Sequence, residues 1–226
     1  RGNGREGEDV TAQALTVRSF PLAIPYKGTL EVRGEAIIRL SVLEEYNRAH
    51  PDEPLKNARN AAAGAIRNLD PAVTATRRPE IVFYDINYMS DAPVASQQEA
   101  VEKLKAWGFQ TFPFLKVCST YDEVRAAVDE IEVERKKLDV LTDGAVIKTD
   151  AEDVRRQMGY TDKFPRWAIA YKFEAEEAES TVEEVVWQVG RTGKLTPLAL
   201  ISPVELAGAT VRRATLNNYG DLTRKD

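Results

Sequence analysis

The chain contains stretches in which hydrophobic and polar residues alternate, as they do in a β-strand with one buried face. Residues 29–38 (TLEVRGEAII) and 81–89 (IVFYDINYM) show this pattern. In the first stretch Glu31, Arg33 and Glu35 share one face, and the other face is apolar. A strand face with three charges is usually solvated, and it can also line a polar ligand site. We therefore predict two strands, the first with a charged face.

Two further alternating stretches each deliver one lysine. Residues 143–148 read DGAVIK, and residues 167–173 read WAIAYKF. Lys172 shares its face with two alanines, and the bulky residues of its stretch point the other way, which predicts a bulky face suited to a core. If Lys148 and Lys172 face one hollow, they form a site for a phosphate. The alternative, which the strand pattern alone favours, is that each lysine points into water from the end of its strand.

Helical signals separate the strands. Ser41, Ser96 and Thr120 are each followed three residues later by a glutamate, the capping-box pattern that begins a helix. The alanine-rich residues 57–68 also favour a helix. Two arginines in this stretch lie two turns apart near one face, and the small residues between them would permit close approach by a ligand or another backbone.

A change in composition follows the second lysine stretch. Residues 174–179 are almost all acidic or alanine. Beyond them come three short strands separated by glycine-containing turns, at residues 182–189, 195–201 and 211–216. This pattern is typical of the opening of a small all-β module such as an OB barrel, which needs five strands. We predict a first domain at residues 1–178 and the beginning of an OB-fold at residues 179–226.

Composition narrows the range of functions. The 226 residues are 43% hydrophobic and 30% charged, which is ordinary for a soluble globular protein, and no apolar run approaches the roughly 20 residues that span a bilayer. The single cysteine, Cys118, excludes an internal disulfide and a cysteine-cluster zinc site. The single histidine, His50, argues against a Ser-His-Asp triad. The net charge of -5 gives the chain no overall positive surface for nucleic acid. The single cysteine makes a reducing cytoplasm the expected compartment.

Six strings, taken together and in order, resemble those of the bacterial NAD-dependent DNA ligases. Residues 1–11 resemble that family's TRGDG…GEDVT loop, and residues 32–35 resemble its VRGE strand. The other four matches are residues 57–67 with NPRNAAAGSLR, 143–148 with DGVVIK, 165–173 with PRWAVAFKF, and 189–218 with VGRTG-LTP…ATLHN. The resemblance covers essentially the whole chain, although Ala58 replaces a proline and Asn217 replaces a histidine.

The resemblance implies an α+β chain in which a nucleotidyltransferase domain, the ATP-grasp-like adenylation domain of DNA ligases, is followed by a partial all-β OB-fold. It implies a parent enzyme that seals nicks in duplex DNA during replication and repair. A lysine attacks the α-phosphorus of NAD and releases nicotinamide mononucleotide; AMP then passes to the 5′-phosphate of the nick, and the 3′-hydroxyl displaces it. NAD and Mg²⁺ are the implied cofactors, although no carboxylate cluster identifies the metal ligands. The parent would be a monomer in the bacterial cytoplasm, at the nucleoid, without a membrane partner.

The resemblance also implies roles for five residues at the nucleotide. Lys148 and Lys172 would hold the α-phosphate and, by like-charge repulsion, disfavour protonation of the nucleophilic lysine. Glu35 would accept a hydrogen bond from a ribose hydroxyl. The ring of Tyr84 would stack on adenine. Arg1, in the glycine loop, would lie by the adenylate.

Four arginines are expected at phosphates or at the leaving group. Arg59, Arg67 and Arg135 resemble the family's arginines that meet nicotinamide mononucleotide or DNA phosphates, and the guanidinium fork suits either task. Arg135 also lies near the predicted C-terminus of a helix, where a cation suits the helix dipole, so a structural role competes. Arg191, in a glycine turn of the OB part, is expected at the DNA backbone.

The nucleophile is the point at which the chain departs from the family. The family's lysine lies in a Lys-x-Asp-Gly motif upstream of the glycine loop, and this chain starts at that loop. Asp143 and Gly144 follow Leu141 and Thr142, so they do not supply the lysine. The family's domain that reads nicotinamide mononucleotide, its zinc finger, its helix-hairpin-helix repeats and its BRCT domain are not in this sequence either. We expect a fragment of a ligase that does not form the covalent adenylate by itself, with any zinc carried elsewhere in the parent.

Two other functions remain open on the sequence. A related nucleotidyltransferase, such as an ATP-dependent ligase or a capping enzyme, would share the paired strand lysines but not the alanine-rich arginine string. A non-catalytic nucleic-acid module would use basic residues of the OB start, among them Arg191, Lys194, Arg212 and Arg213. From Ser180 onward six basic and five acidic residues leave a net charge of only +1, so this footprint is weak.

Overall fold

The computed structural model describes residues 6–173, 177–206 and 209–223. The chain divides into two compact units, Arg1–Phe173 and Glu174–Asp226. The sequence-based boundary between residues 178 and 179 stays a prediction. Arg1, which was expected beside the adenylate, lies outside the described residues.

The described part of the first unit alternates short helices with four strands. In chain order these elements are α1 (Thr11–Ala14), β1 (Leu30–Ile37), α2 (Leu40–Ala49), α3 (Ala58–Ile66), α4 (Pro71–Arg77), β2 (Glu80–Met89), α5 (Gln97–Ala106), α6 (Tyr121–Glu134), β3 (Gly144–Lys148), α7 (Glu152–Met158) and β4 (Ala168–Lys172). A 3-10 turn, Arg135–Lys137, continues α6. Strands β1 and β2 form one antiparallel pair, and β3 and β4 form another.

The pairing of β1 with β2 is interrupted by a bulge at Tyr84. Arg33 pairs with Asp85, and the next residue, Gly34, pairs with Phe83, so that Tyr84 has no residue opposite it. A bulge of this kind changes the phase of the alternation. Phe83 and Asp85, although two residues apart, therefore point to opposite faces of the sheet.

The core of the first unit lies between β2 and α5. Its buried side chains are Phe83, Ile86, Met89, Ala100, Leu104 and Phe109. Helix α5 begins as predicted, because the Ser96 hydroxyl accepts a hydrogen bond from the Glu99 amide at 3.1 Å. It is followed by Gly108 at φ +84°, a conformation that suits glycine. The core therefore holds one face of β2 against α5, while the other face carries Asp85 together with the buried Val82.

The predicted helix start at Ser41 is wrong in its detail. Helix α2 begins at Leu40, and its N-cap residue, Arg39, makes no side-chain capping bond. The Ser41 amide and hydroxyl instead donate to the carboxylate of Asp139, at 2.9 and 2.5 Å. A carboxylate from a distant part of the chain thus provides the acceptor that the sequence pattern assigned to the serine.

The β3–β4 ribbon places its two lysines on one face but at opposite ends. Lys148 pairs with Ala168, and Lys172 pairs with Gly144. Directly opposite residues of an antiparallel pair share a face, as do alternate residues along each strand. The two lysines therefore project from the same side, roughly 13 Å apart along the ribbon at about 3.3 Å per residue.

The prediction of a core face on β4 is wrong for most of the strand. Ile169 is 66% exposed and Tyr171 is 45% exposed, whereas Phe173, just beyond the strand, is buried. Alternation determines which residues share a face, but it does not determine whether another element covers that face. Among the described residues the ribbon has no third strand beside it.

The second unit is an antiparallel three-stranded sheet in its described part. Strands β5 (Val182–Val189), β6 (Leu195–Leu206) and β7 (Ala209–Thr215) follow one another in sheet order, and a short helix, α8 (Tyr219–Leu222), ends the described residues. Trp187 of β5 packs near Tyr219 of α8, with 6.3 Å between the ring centroids. The predicted strands and the α+β fold class are confirmed.

Candidate functional site

Lys148 is held at the end of β3 by two side chains from other elements. Its Nζ donates to Oδ2 of Asp85 on β2 at 3.1 Å and to Oε1 of Gln97 in α5 at 3.2 Å. The side chains of Lys148 and Asp85 are only 18% and 11% exposed. A charge pair this far from water is costly unless its partners are well placed, and here they are. Because a lysine ammonium has three N–H groups, one is left without a partner among the described residues and can meet a further acceptor.

Gln97 connects Lys148 to two further parts of the site. Its side-chain amide donates from Nε2 to the backbone carbonyl of Tyr84 at 2.6 Å. Its Oε1 accepts from Lys148 and also from Nη2 of Arg155 at 3.0 Å. The backbone amide of Gln97 donates to the carbonyl of Asp150, two residues after Lys148. The first turn of α5 is therefore attached to both β2 and the end of β3.

Arg155 is the buried cation of this cluster. It lies in α7, is 5% exposed, and its guanidinium is 4.5 Å from the ring centroid of Trp167. Its Nε donates to the carbonyl of Thr149 at 2.5 Å. Glu152 provides a nearby carboxylate, with 3.8 Å between Nη1 and Oε2. Arg155 thus links α7 to Thr149 and Trp167, the residues that flank the connection between β3 and β4.

The surroundings of Lys148 weaken its hold on a proton. Burial lowers the pKa of Lys148, and the positive charges of Arg155 and Arg33 lower it further. The carboxylate of Asp85 acts in the opposite direction without overcoming burial. Lys148 is therefore a partly desolvated cation, and an approaching anion would stabilise its charged form.

The ring of Tyr84 lies beside this cation. Lys148 Nζ is 5.0 Å from the ring centroid, within the range of a cation–π contact. Burial raises the pKa of the Tyr84 phenol; Glu35 and Asp85 also raise it, and Arg33 lowers it. Glu35 is exposed on β1. The structure therefore brings three of the predicted residues, Glu35, Tyr84 and Lys148, to one side of the β1–β2 pair.

The other end of the ribbon carries Lys172. It is exposed and lies opposite Gly144, next to Asp143. Arg59 reaches this end, with 3.7 Å between its Nη1 and Oδ2 of Asp143, and both side chains are largely exposed. The two lysines thus share a face, with Lys148 at one end and Lys172 near Arg59 at the other, and a single phosphate site between them stays a prediction.

Arg135 lies beneath the Lys172 end of the ribbon. Its Nη1 donates to the carbonyl of Thr142 at 2.8 Å, and its guanidinium is 4.6 Å from the ring centroid of Phe173. Its Nε is buried, with no hydrogen-bond partner among the described residues. These contacts support a structural role, and contact between Arg135 and a phosphate stays a prediction.

Arg67 makes its hydrogen bonds outside the Lys148 cluster, and Arg191 belongs to the second unit. Arg67 donates from Nε and Nη2 to the two carboxylate oxygens of Glu8, at 2.8 and 2.9 Å, and thereby ties residues near the glycine loop to the end of α3. This hydrogen bonding lowers the pKa of Glu8. Arg191 is exposed in the turn between β5 and β6 of the second unit. The roles predicted for both arginines at phosphates stay predictions.

Metal ligands and membrane spans can be assessed over the same residues. Within residues 6–173, 177–206 and 209–223, no group of three or more histidine, cysteine, aspartate or glutamate side chains could hold a metal ion. The chemistry of the described side chains therefore does not fit a metal held by protein ligands alone. In those ranges no helix is long and apolar enough to cross a membrane.

Sequence reasoning missed three residues of the Lys148 cluster. Asp85 carried a signal, because it is an acidic residue in the middle of an apolar strand. Gln97 and Arg155 carried none, since a glutamine after a helix cap and an arginine in a charged helix are ordinary surface residues. Only the approach of α5 and α7 to the end of β3 makes them part of the site.

The comparisons with known proteins agree with the motifs. The family model described as "NAD-dependent DNA ligase adenylation domain" matches residues 1–176, and the "NAD-dependent DNA ligase OB-fold domain" matches residues 179–226. Similar curated proteins named DNA ligase come from Finegoldia magna, 51% identical over 225 residues, and from Alkaliphilus oremlandii and Clostridium perfringens, each 48% identical over 225 residues. Each match covers 100% of this chain and 34% of the relative.

These matches confirm the resemblance drawn from the six strings. They do not favour the alternatives of another nucleotidyltransferase or a non-catalytic OB module. The chain spans about a third of the length of the relatives it matches. Over that length both of its units match, and it belongs to the family of NAD-dependent DNA ligases.

Proposed function

We propose that this chain is the adenylation core and the opening of the OB domain of a ligase that seals nicks in duplex DNA, with NAD as the adenylate donor. The observation that carries the proposal is the partly desolvated Lys148, held between Asp85 and Gln97 beside the ring of Tyr84. A cation fixed next to an aromatic ring suits a nucleotide, which presents both a phosphate and a base.

Each residue of the site has a task in this proposal. Lys148 and Lys172, on one face of the ribbon, would contact the α-phosphate from two sides and stabilise the charge that develops during transfer. Tyr84, kept protonated by burial, offers its ring to adenine. Glu35, exposed on the same side, can accept a hydrogen bond from a ribose hydroxyl.

The arginines divide by location. Arg59 is exposed at the Lys172 end and is placed for the leaving group or a DNA phosphate. Arg67 and Arg135 would contact phosphates only by exchanging or extending their present hydrogen bonds. Arg191 would contact the DNA backbone from the OB unit. Mg²⁺ belongs to the proposal as an ion carried by the nucleotide phosphates, and no step is assigned to it.

The nucleophile is not among these residues. The 226 residues contain no Lys-x-Asp-Gly string, so these residues alone would not form the covalent adenylate. In the parent the lysine of such a motif would be supplied from outside them. We place the parent in the bacterial cytoplasm, at the nucleoid, as a monomer that acts in replication and repair.

The proposal is tested by asking which nucleotide labels the parent protein. The full-length protein is incubated with NAD or with ATP, each carrying a radioactive adenylate, and the covalently bound label is measured after denaturation. We expect labelling from NAD and not from ATP. Labelling from ATP alone would refute the choice of adenylate donor.

The site assignment has its own test in the same assay. Lys148→Ala and Lys172→Ala are each expected to reduce adenylation far more than Lys103→Ala does. Lys103 is a suitable control because it pairs with Glu99 on the outer side of α5, at 3.2 Å. Equal losses for all three variants would contradict the assignment of the two ribbon lysines to the nucleotide.

A further inference from the structure

Gln97 occupies an unusual position among the polar residues near Lys148. It is 7% exposed and begins α5, yet its side chain points toward the site rather than along the helix surface. It bonds to three separate elements: the Tyr84 carbonyl on β2, Nζ of Lys148 on β3, and Nη2 of Arg155 in α7. A side chain with these contacts fixes distances between elements that share no backbone hydrogen bonds of their own.

The chemistry of an amide is required for this set of contacts. The Nε2 group donates to a carbonyl, and Oε1 accepts from two cations at once. A carboxylate could accept from both cations, but it has no proton to donate to the Tyr84 carbonyl. An aliphatic side chain of the same size could do neither, and it would leave Arg155 with one buried donor unpaired.

We infer that Gln97 is a positioning residue for adenylate transfer, which sets the location of Lys148 relative to Tyr84 and directs the remaining N–H of Lys148 toward the nucleotide phosphate. The inference rests on the proposed function of the site. Gln97 itself does not touch the nucleotide in this scheme. It acts through Lys148, and Arg155 shares the same Gln97 oxygen.

The charged groups that face Lys148 make the effect of Gln97 on adenylation depend on pH. Asp85 and Tyr84 face it from β2, Arg33 from β1 and Arg155 from α7. The Gln97 oxygen is a neutral acceptor that favours the protonated lysine. Replacing it with an apolar group lowers the pKa of Lys148 further, and replacing it with a carboxylate raises that pKa.

The experiment compares Gln97→Met and Gln97→Glu with Gln98→Met in the full-length protein. Gln98 is the matched control, because it is the next residue of α5, it is exposed, and its side chain bonds only along the helix, to Glu102 at 2.9 Å. The rate of adenylation from NAD is measured against NAD concentration and against pH. The titration of Lys148 is followed separately by NMR of lysine labelled at Cε.

We expect Gln97→Met to lower kcat/KM for adenylation by about ten- to a hundredfold, the range for the loss of a hydrogen bond to a charged group. The alkaline limb of its pH profile, and the NMR titration of Lys148, move to lower pH. In Gln97→Glu both move to higher pH, and this variant carries the test if the apolar variant does not fold. Gln98→Met behaves as the unaltered protein does.

Two results would overturn the inference. One is that Gln97→Met and Gln97→Glu do not shift the Lys148 titration and the pH profile in opposite directions. A purely structural role for Gln97 would shift neither. The other is that Gln97→Met is as active in adenylation as Gln98→Met. Failure of the unaltered protein to be labelled by NAD would instead refute the proposed function, and the NMR titration would still test the contact between Gln97 and Lys148.

Discussion

The two ends of the β3–β4 ribbon carry the same kind of residue in opposite surroundings. At one end Lys148 is desolvated and bonded to Asp85 and Gln97. At the other end Lys172 is exposed, beside the solvent-accessible pair of Arg59 and Asp143. The difference shows that two lysines at equivalent strand positions can have very different surroundings.

The cause of the difference lies in the elements packed over each end. The first turn of α5, strand β2 and helix α7 meet at Lys148, and they hold its side chain in one place before any ligand arrives. Lys172 is exposed like an ordinary surface lysine, so in the proposed function its side chain would be ordered only when the nucleotide binds. The Lys148 end therefore contributes to the fold as well as to the proposed site, whereas Lys172 contributes only to the proposed site.

The largest expected effect separates the two lysines by stability. Lys148→Met leaves the carboxylate of Asp85 buried without its cation, which lowers the free energy of unfolding by about 3–5 kcal/mol. Lys172→Met changes it by less than about 0.5 kcal/mol, as most surface substitutions do. Chemical denaturation of both variants measures the difference. Equal stabilities would mean that the buried pair does not hold the ribbon.

The next effect tests whether Arg155 belongs to the Lys148 end. Arg155→Ala removes hydrogen bonds to Thr149 and Gln97, and it lowers the free energy of unfolding by about 2–3 kcal/mol. Arg156→Ala, at the exposed neighbouring position, is the control and changes it by less than about 0.5 kcal/mol. Equal changes in the free energy of unfolding for the two variants would show that Arg155 does not tie α7 to the Lys148 cluster.

A smaller effect is expected when the Lys172 end is forced open. A Cβ on Gly144 would lie 2.3 Å from the Tyr171 carbonyl and 3.2 Å from Cα of Lys172. Gly144→Ala therefore separates the strands there and lowers the free energy of unfolding by about 1–2 kcal/mol. Gly7→Ala, with open space at its Cβ, is the control. If the NMR titration of Lys148 also changes in Gly144→Ala, the two ends are not independent.

The smallest expected effect is the pH dependence that Lys148 gives to the free energy of unfolding. Its pKa is lowered in the folded protein, so between that pKa and the ordinary lysine value of 10.5 the unfolded chain binds more protons than the folded one. Stability contributed by this group therefore rises with pH through that window. The rise is measured as the difference between the unaltered protein and Lys148→Met, and a fall in that difference would contradict the lowered pKa.

Local patterns were sufficient to predict much of the architecture. Alternation located the four strands of the first unit, and the glycine turns located the three strands of the second. The hydroxyl caps at Ser96 and Thr120 were also predictable, because a cap depends on residues a few positions apart. Six strings, among them those that contain Glu35, Lys148 and Lys172, identified the family.

The parts that could not be predicted depend on contacts between distant residues. The bulge at Tyr84 turns Asp85 away from the core, and no rule of alternation anticipates that change of phase. The roles of Gln97 and Arg155 depend on where α5 and α7 end in space. The exposure of Ile169 depends on what covers the ribbon, which the residues of the ribbon do not encode.

The bulge also has an evolutionary consequence. Tyr84 has no residue opposite it on β1, and its ring lies beside Lys148, which is bonded to Asp85 on the side of the sheet away from the Phe83 core. Exchanging one ring for another at this position leaves the register of both neighbours unchanged. Drift can therefore sample different aromatic rings at this position while the scaffold and the charged residues are inherited intact.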